Sequence, residues 1–260
     1  MKAPSFAYAK PRTLAEAFDL LERPGARILA GGQSLIPSLN LRLSAPELLV
    51  DITGLTELRG IALEQDVMRI GTLTTHADIE RSAEIRKHLP LLADAVVHVA
   101  HPAIRNRGTF GGSVALADPA AEYPACLVAL DATIVLRSRD GERMVQAEDF
   151  FKGLFEVDLR PGEIVAGAEI PALLKDERSV FSELARRQGD YAIVGLAGVA
   201  TSAQKRIAFF GLGAKPVLLK PKSLDEAKAS LPAPSADLYN TAATKMHLAK
   251  VLLERAWTRL

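Results

Sequence analysis

Two short stretches carry residue types that bind an anion through the backbone. AGGQSL (30–35) holds Gly31, Gly32 and the hydroxyl of Ser34; TFGGSV (109–114) holds Gly111, Gly112 and the hydroxyls of Thr109 and Ser113. Glycine lacks a Cβ, admits positive φ and lets another group come close to the main chain. Successive N–H groups at such a bend converge into a concave nest for an anion, and a helix starting there adds partial positive charge. Two nests facing each other, about 80 residues apart in the chain, would grip both phosphates of a dinucleotide without a basic side chain. Taken singly, each doublet is also what a plain turn uses. Other phosphate signatures are missing: GLGAKP (211–216) breaks G-x-G-x-x-G at the third glycine, and G-x-x-x-x-G-K-[ST] does not occur.

The remaining reactive side chains read as structural. His98 and His101 stand at i, i+3 with no third metal ligand at a standard spacing. His76 reads as a helix-start residue, and Cys126, inside YPACLVAL, as a small buried hydrophobe. Arg105 and Arg107 flank the second doublet and read as solvated or partner-contacting residues, with phosphate contact as the alternative. No triad or carboxylate pair points to acid–base catalysis by the polypeptide.

Placing the two doublets requires three groups of elements. In residues 1–55, TLAEAFDLLER predicts a helix capped by Thr13, ARILA and ELLVDIT predict strands, and LIPSLNLRL predicts a helix with an early proline. Residues 56–170 form a second lobe: a strand at VMRIG, helix from THADI onward interrupted near Pro90, a helix at 121–129, a hairpin at Arg139-Asp140-Gly141 and a strand at GEIVAGAEIP. Residues 171–260 change pattern, with VFSELARR, AIVGLAGVAT and KRIAFFGLG as antiparallel strands. SLDEAKASL and DLYNTAATKMHLAKVLLERAWTRL follow as helices, the second with Met246, Ala249, Leu253 and Trp257 along one stripe.

The 260-residue chain is 48% hydrophobic and 24% charged with a net charge of +1, which suits a globular core and gives no nucleic-acid footprint. Its single cysteine excludes internal disulfides and any iron–sulfur cluster held by its own thiols. The longest apolar run, AIVGLAGVA, is too short to span a membrane, and the N-terminal residues lack a signal-peptide core, so the expected compartment is the cytoplasm.

AGGQSLIPSLNLRLSAPELLVDI followed by RNRGTFGGSVALADPAAEYPACLVAL closely resembles the FAD-binding medium subunit of the molybdenum hydroxylases. That family includes carbon monoxide dehydrogenase and the flavin part of xanthine dehydrogenase. The likeness continues through ARRQGDYAIVGLAG and AFFGLGAKPVLL to NTAATKMHLAKVLLERA. It implies an α+β chain: a two-lobed α/β FAD-binding domain of PCMH type, then a small C-terminal domain of antiparallel sheet plus helices.

By this resemblance Ala30, Gly31, Gly32, Gln33, Ser34 and Leu35 wrap the FAD pyrophosphate, and Thr109, Phe110, Gly111, Gly112 and Ser113 form the opposite wall. Either Asp118 or Glu122 takes ribityl or ribose hydroxyls, Val165 packs near the flavin, and Tyr191 brings an aromatic ring to the isoalloxazine. Glu183 stands at about the position where relatives often carry lysine, which bears on the electron acceptor and puts NAD use in doubt. The implied activity is electron transfer. Hydroxylation takes place at a molybdenum cofactor in a large subunit, 2Fe-2S clusters sit in a small subunit, and FAD here passes the electrons on. The expected assembly is a heterotrimer or a dimer of heterotrimers. The competing expectations are a stand-alone FAD oxidoreductase with its own substrate pocket, and a colourless scaffold with two ordinary turns.

Overall fold

The structure, a computed structural model, describes residues 2–260. The chain begins with β1 (Ala7–Ala9), α1 (Leu14–Leu21), β2 (Ala26–Leu29), α2 (Leu35–Asn40) and β3 (Leu48–Asp51). The strands form a parallel sheet in the order β1-β3-β2, as the helical crossovers between them require. Thr13 caps α1 as expected, its hydroxyl accepting from the Glu16 amide at 3.2 Å. Ala17 and Phe18 on that helix pack on Leu48 and Val50 of the fully buried β3.

A second, antiparallel sheet has the order β4-β5-β10-β6-β7, built from β4 (Ile61–Glu64), β5 (Val67–Gly71), β6 (Thr133–Ser138), β7 (Gly141–Gln146) and β10 (Ile164–Pro171). The predicted hairpin closes at Ser138 and Gly141. Between β5 and β6 run α3 (His76–Arg81), α4 (Ala83–His88), α5 (Pro90–Val96), α6 (Pro102–Arg105), α7 (Phe110–Leu116) and α8 (Glu122–Ala129). The first helical stretch breaks at Ser82 as well as at Pro90, because the Ser82 side chain turns away to cap α4 at the Ile85 amide. A short helix α9 (Ala147–Phe150) and the β8 (Phe151–Gly153)–β9 (Glu156–Val157) hairpin fill the approach to β10. Every residue of α8 is buried, which explains why the helix is apolar all round.

The last part is a sheet β11-β12-β13-β14, from β11 (Arg178–Leu184), β12 (Val194–Ala200), β13 (Lys205–Phe210) and β14 (Val217–Leu219). It is covered on one face by α10 (Leu224–Ala229) and α11 (Ala242–Trp257). Its other face, with Phe181, Ala197 and Phe210, joins the core around α5 and α8. Covered on both faces, β12 is buried throughout, and its sequence VGLAGVA is correspondingly without polar alternation. The final helix starts later than DLYN suggests: Thr241 caps it at the Thr244 amide, 3.1 Å, leaving residues 237–240 in a turn held by Asp237.

Candidate functional site

The two glycine bends meet. A Cβ on Gly31 would lie 2.9 Å from the Gly108 Cα and closer still to the Arg107 carbonyl oxygen, so only glycine permits this approach. In the first bend Gly32 takes a positive φ of 74°, and its carbonyl accepts from the Ile36 amide at 3.1 Å to start α2. The Gln33 side chain turns back to the Gly31 carbonyl at 3.1 Å. Among the described residues, the amides of Gly31, Gly32, Gln33, Ser34 and Leu35 donate to no protein acceptor. Ala30 leads into the bend half-buried, and Ser34 is exposed with no capping bond.

The second bend differs from the expected nest. Its amides are already used: Phe110 donates to the Thr74 carbonyl at 2.8 Å, Gly111 to the Thr72 carbonyl at 2.9 Å, Gly112 to Thr109 Oγ1 at 3.2 Å and Ser113 to the Thr109 carbonyl at 3.1 Å. The segment 72–76 thus serves as a template on which 108–111 is laid, with His76 N–H donating to the Gly108 carbonyl at 3.0 Å and a single bridge from Thr75 to Thr109. Gly111 is glycine because a Cβ would run into the Thr72 side chain. Phe110 is fully buried in the core, so its ring is not a ligand group. What this bend offers outward is the half-buried Ser113 hydroxyl and the exposed surface of Gly112, with Thr109 buried beneath them. Thr109→Val removes the α7 cap at constant shape and is expected to lower stability by about 1 kcal/mol, measured by urea unfolding.

Arg105 is a second departure from the sequence reading. It is buried, forked onto Glu80 at 2.9 and 3.2 Å, and donates to the Val99 and Ala100 carbonyls at 3.2 and 3.1 Å. It anchors the loop beneath the bends and is neither solvated nor free for phosphate. His76 starts α3 as expected; burial, with a further push from the Arg105 charge, lowers its pKa to about 4, so it is neutral and meets the Tyr123 hydroxyl at 3.3 Å.

Beyond the second bend, Ala117 takes a left-handed conformation (φ 51°) that ends α7 and aims the chain into 118–121. Asp118 accepts from the Ala120 amide at 2.9 Å, and burial raises its pKa. Glu122 opens α8, is only 8% exposed and has its own amide, not another residue, as donor; burial, helped by the Asp118 charge and opposed by that amide, pushes its pKa up to about 7. Tyr191 is 72% exposed, and its phenol is raised by partial desolvation and by the Asp118 and Glu122 charges. It borders a cavity of about 260 Å³ formed with Pro119, Ala120, Ala192, Gly211 and Lys245. Lys245 is not a free cation there, since it pairs with Asp237 at 2.8 Å and donates to the Gly211 carbonyl at 3.1 Å. Val165 lies on β10 at an irregularity in its pairing with β6, buried in the central core. Its neighbour Ala166 accepts from the Thr72 amide at 2.9 Å, which links β10 to the template of the second bend.

One buried group is left without any partner among the described residues: Oε2 of Glu183, on β11. The sequence analysis did not find its burial; the signal that could have is alternation, since Phe181 on the same strand faces the core and a residue two further on shares that face. No group of three or more metal-ligating side chains is present among the described residues.

A flavin dinucleotide fits this arrangement on observations of the chain itself. Five adjacent amides lack acceptors, a cradle closes where a Cβ would block it, and a buried carboxyl oxygen lacks a partner. This geometry suits a protein that binds a dinucleotide cofactor. The domain described as "FAD binding domain in molybdopterin dehydrogenase" matches residues 4–173, and the chain belongs to this family. It is 32% identical, over 98% of its length and 96% of the relative's, to the carbon monoxide dehydrogenase medium chain of Afipia carboxidovorans. Across 77% of this chain and 69% of the relative it is 44% identical to the 6-hydroxypseudooxynicotine dehydrogenase complex subunit alpha of Paenarthrobacter nicotinovorans. It also superimposes on carbon monoxide dehydrogenase from Hydrogenophaga pseudoflava with a TM-score of 0.93 at 33% identity, covering all of this chain and 98% of that one.

Proposed function

We propose that this protein is the FAD-carrying electron-transfer subunit of a molybdenum hydroxylase complex. Bound FAD supplies the redox chemistry, taking electrons from iron–sulfur clusters in a partner and passing them to an external acceptor. The chain's own part is to bind and orient that cofactor. The observation that carries the reading is the row of unsatisfied amides from Gly31 to Leu35, seated against the second bend.

Ala30 to Leu35 hold the pyrophosphate through the main chain. Thr109 and Ser113 add hydroxyl donors, Gly112 leaves room, and Phe110 and Gly111 fix the bend from behind. Glu122 is better placed than Asp118 for the cofactor hydroxyls, because its carboxyl is the more deeply buried and has no other residue as partner. Tyr191 shields one side of the ring system, and Val165 supports it from the core. Residues 1–55 and 56–170 act as the two clamping lobes, with 171–260 as the third unit.

The partners are a molybdenum-cofactor large subunit and an iron–sulfur small subunit, in a heterotrimer or its dimer. The lone buried cysteine supports this, because the clusters must come from elsewhere. No helix among the described residues is long and apolar enough to cross a membrane, and we place the complex in the cytoplasm.

An absorbance scan of the purified protein, before and after adding FAD, tests the reading together with the composition of the native complex. Flavin bands and two co-purifying chains carrying molybdenum and iron are expected. A colourless protein that takes up no FAD overturns it; a monomer that turns over its own substrate favours the stand-alone oxidoreductase.

A further inference from the structure

We propose that Glu183 is a cofactor-contacting hydrogen-bond donor, its carboxyl, with Oε2 buried and partnerless, holding a proton that it gives to an acceptor atom of bound FAD. The proposal rests on the FAD reading above and extends it to a residue outside the glycine bends.

Glu183 sits on β11 opposite Gly195 of β12, on the face that joins the α5–α8 core. Its Oε2 is shut off from solvent and meets no donor or acceptor among the described residues. A buried polar atom with no partner is costly, and native folds keep such atoms for a ligand or a strained function. No ion pair relieves it. The titratable groups that face it are Glu122 and Cys126 from α8; Asp94 from α5 acts on Cys126 and His98, and His98, just beyond α5, packs on Phe181 of the same strand. Glu122 and Asp94 are acids, and burial pushes the Cys126 thiol well up and the His98 imidazole down, so both of those are neutral at pH 7. Arg186, farther along the chain, is turned outward and stacks on Tyr239.

Desolvation, and secondarily the Glu122 charge, pushes the Glu183 pKa up to about 8. At pH 7 the side chain is therefore chiefly a neutral acid, able to donate where a carboxylate can only accept. Glu122, assigned above to the cofactor hydroxyls, is the neighbour whose charge acts on Glu183, and the two acids titrate as a coupled pair.

The sign follows from linkage. If FAD uses the protonated form, deprotonation competes with binding, and affinity falls as pH rises through about 8. A glutamine keeps a neutral donor of the same shape at every pH. FAD dissociation constants of the full chain, measured by flavin fluorescence from pH 6 to pH 9 for wild type and Glu183→Gln, make the comparison. The two proteins are expected to agree at pH 6, and wild type to be about ten-fold weaker than the variant at pH 9. Glu122 titrates in both proteins, and its coupling to Glu183 is part of the difference that the ratio reads. Parallel curves across the whole range overturn the proposal. Calorimetry of wild type in two buffers of different ionisation heat gives a check that needs no variant: FAD binding at pH 9 takes up a proton if Glu183 is a donor, and zero uptake overturns it. Wild type that binds no FAD at any pH is a different result, and it overturns the cofactor assignment itself.

Discussion

Gly31→Val is expected to give a folded but colourless protein, with FAD affinity reduced by roughly ten- to hundred-fold or more, the equivalent of 1.4 kcal/mol per factor of ten. The cause is the contact between the bends. A side chain at residue 31 meets the Arg107 carbonyl and, at 2.9 Å, the Gly108 Cα, both main-chain atoms. They cannot yield easily. Gly108 donates to the Ile104 carbonyl at 2.7 Å and accepts from His76 at 3.0 Å, while Arg105 is locked onto Glu80. Forcing extra methyl groups into such a contact costs about 1–3 kcal/mol, and here the strain is relieved by moving the surface proposed to hold the pyrophosphate. Gly213→Ala is the matched control: a Cβ there meets open space and the backbone is not in the left-handed region. Equilibrium titration with FAD, alongside thermal unfolding, separates loss of binding from loss of fold. A valine variant that binds FAD normally would falsify the placement of the phosphate at this junction.

Features set by neighbours in sequence could be read before the structure. The Thr13 cap, the hairpin at residues 138–141, the helix from Glu122 and the inward stripe of α11 all depend on residues within a few positions of one another. The two glycine bends were legible for the same reason, as was the burial of Cys126. The state of the second bend was not. Its amides are consumed by carbonyls of Thr72 and Thr74, far back in the chain, and nothing in TFGGSV announces those acceptors. Arg105 was misread for the same cause, since its ion-pair partner Glu80 lies 25 residues away. Charge beside a glycine bend looks like a ligand or a solvated side chain until the fold supplies a buried carboxylate. Asp237 shows the reverse error: DLYN has helical composition, but the carboxylate accepts from the Tyr239 and Asn240 amides at 2.8 Å and pairs with Lys245, which stabilises a turn instead.

The division of labour between the bends also changes what the family motif means here. A paired Gly-Gly signature suggests two equivalent anion grips. In this protein one bend provides free amides and the other provides rigidity, a close contact and two hydroxyls. Substitutions in the first bend should therefore act on affinity directly. Those in the second should act through the template 72–76, with stability and affinity falling together.

Arg206→Met is expected to have the largest effect on stability of any single change considered, and to weaken FAD binding from a distance. The guanidinium, 5% exposed on β13, donates to the Ala129 carbonyl at 3.1 Å and the Val128 carbonyl at 2.8 Å, and pairs with Asp131 at 2.8 Å. It therefore adds donors at the C-terminal end of α8, where helical donors run out and the Val128 carbonyl otherwise accepts from the turn that follows, with the Asp131 amide at 3.3 Å. Methionine fills much of the volume and supplies no donor. Removing one member of a buried charged network costs about 3–5 kcal/mol; Asp131 is largely exposed and recovers its water, so roughly 2–4 kcal/mol is expected here. For a chain of this size that is a fall in Tm of roughly 5–15 °C. Arg206→Lys, which cannot reach two carbonyls and a carboxylate together, should fall between. The link to binding runs along α8. Arg206 holds one end of this buried helix against the C-terminal sheet, and Glu122 stands at the other. With the anchor lost, the helix can shift relative to the bends, and Glu122 with it. Measured at a temperature where both proteins are fully folded, the methionine variant should still bind FAD several-fold more weakly than wild type. Equal affinities under those conditions would mean that Arg206 stabilises the fold without positioning the acidic wall.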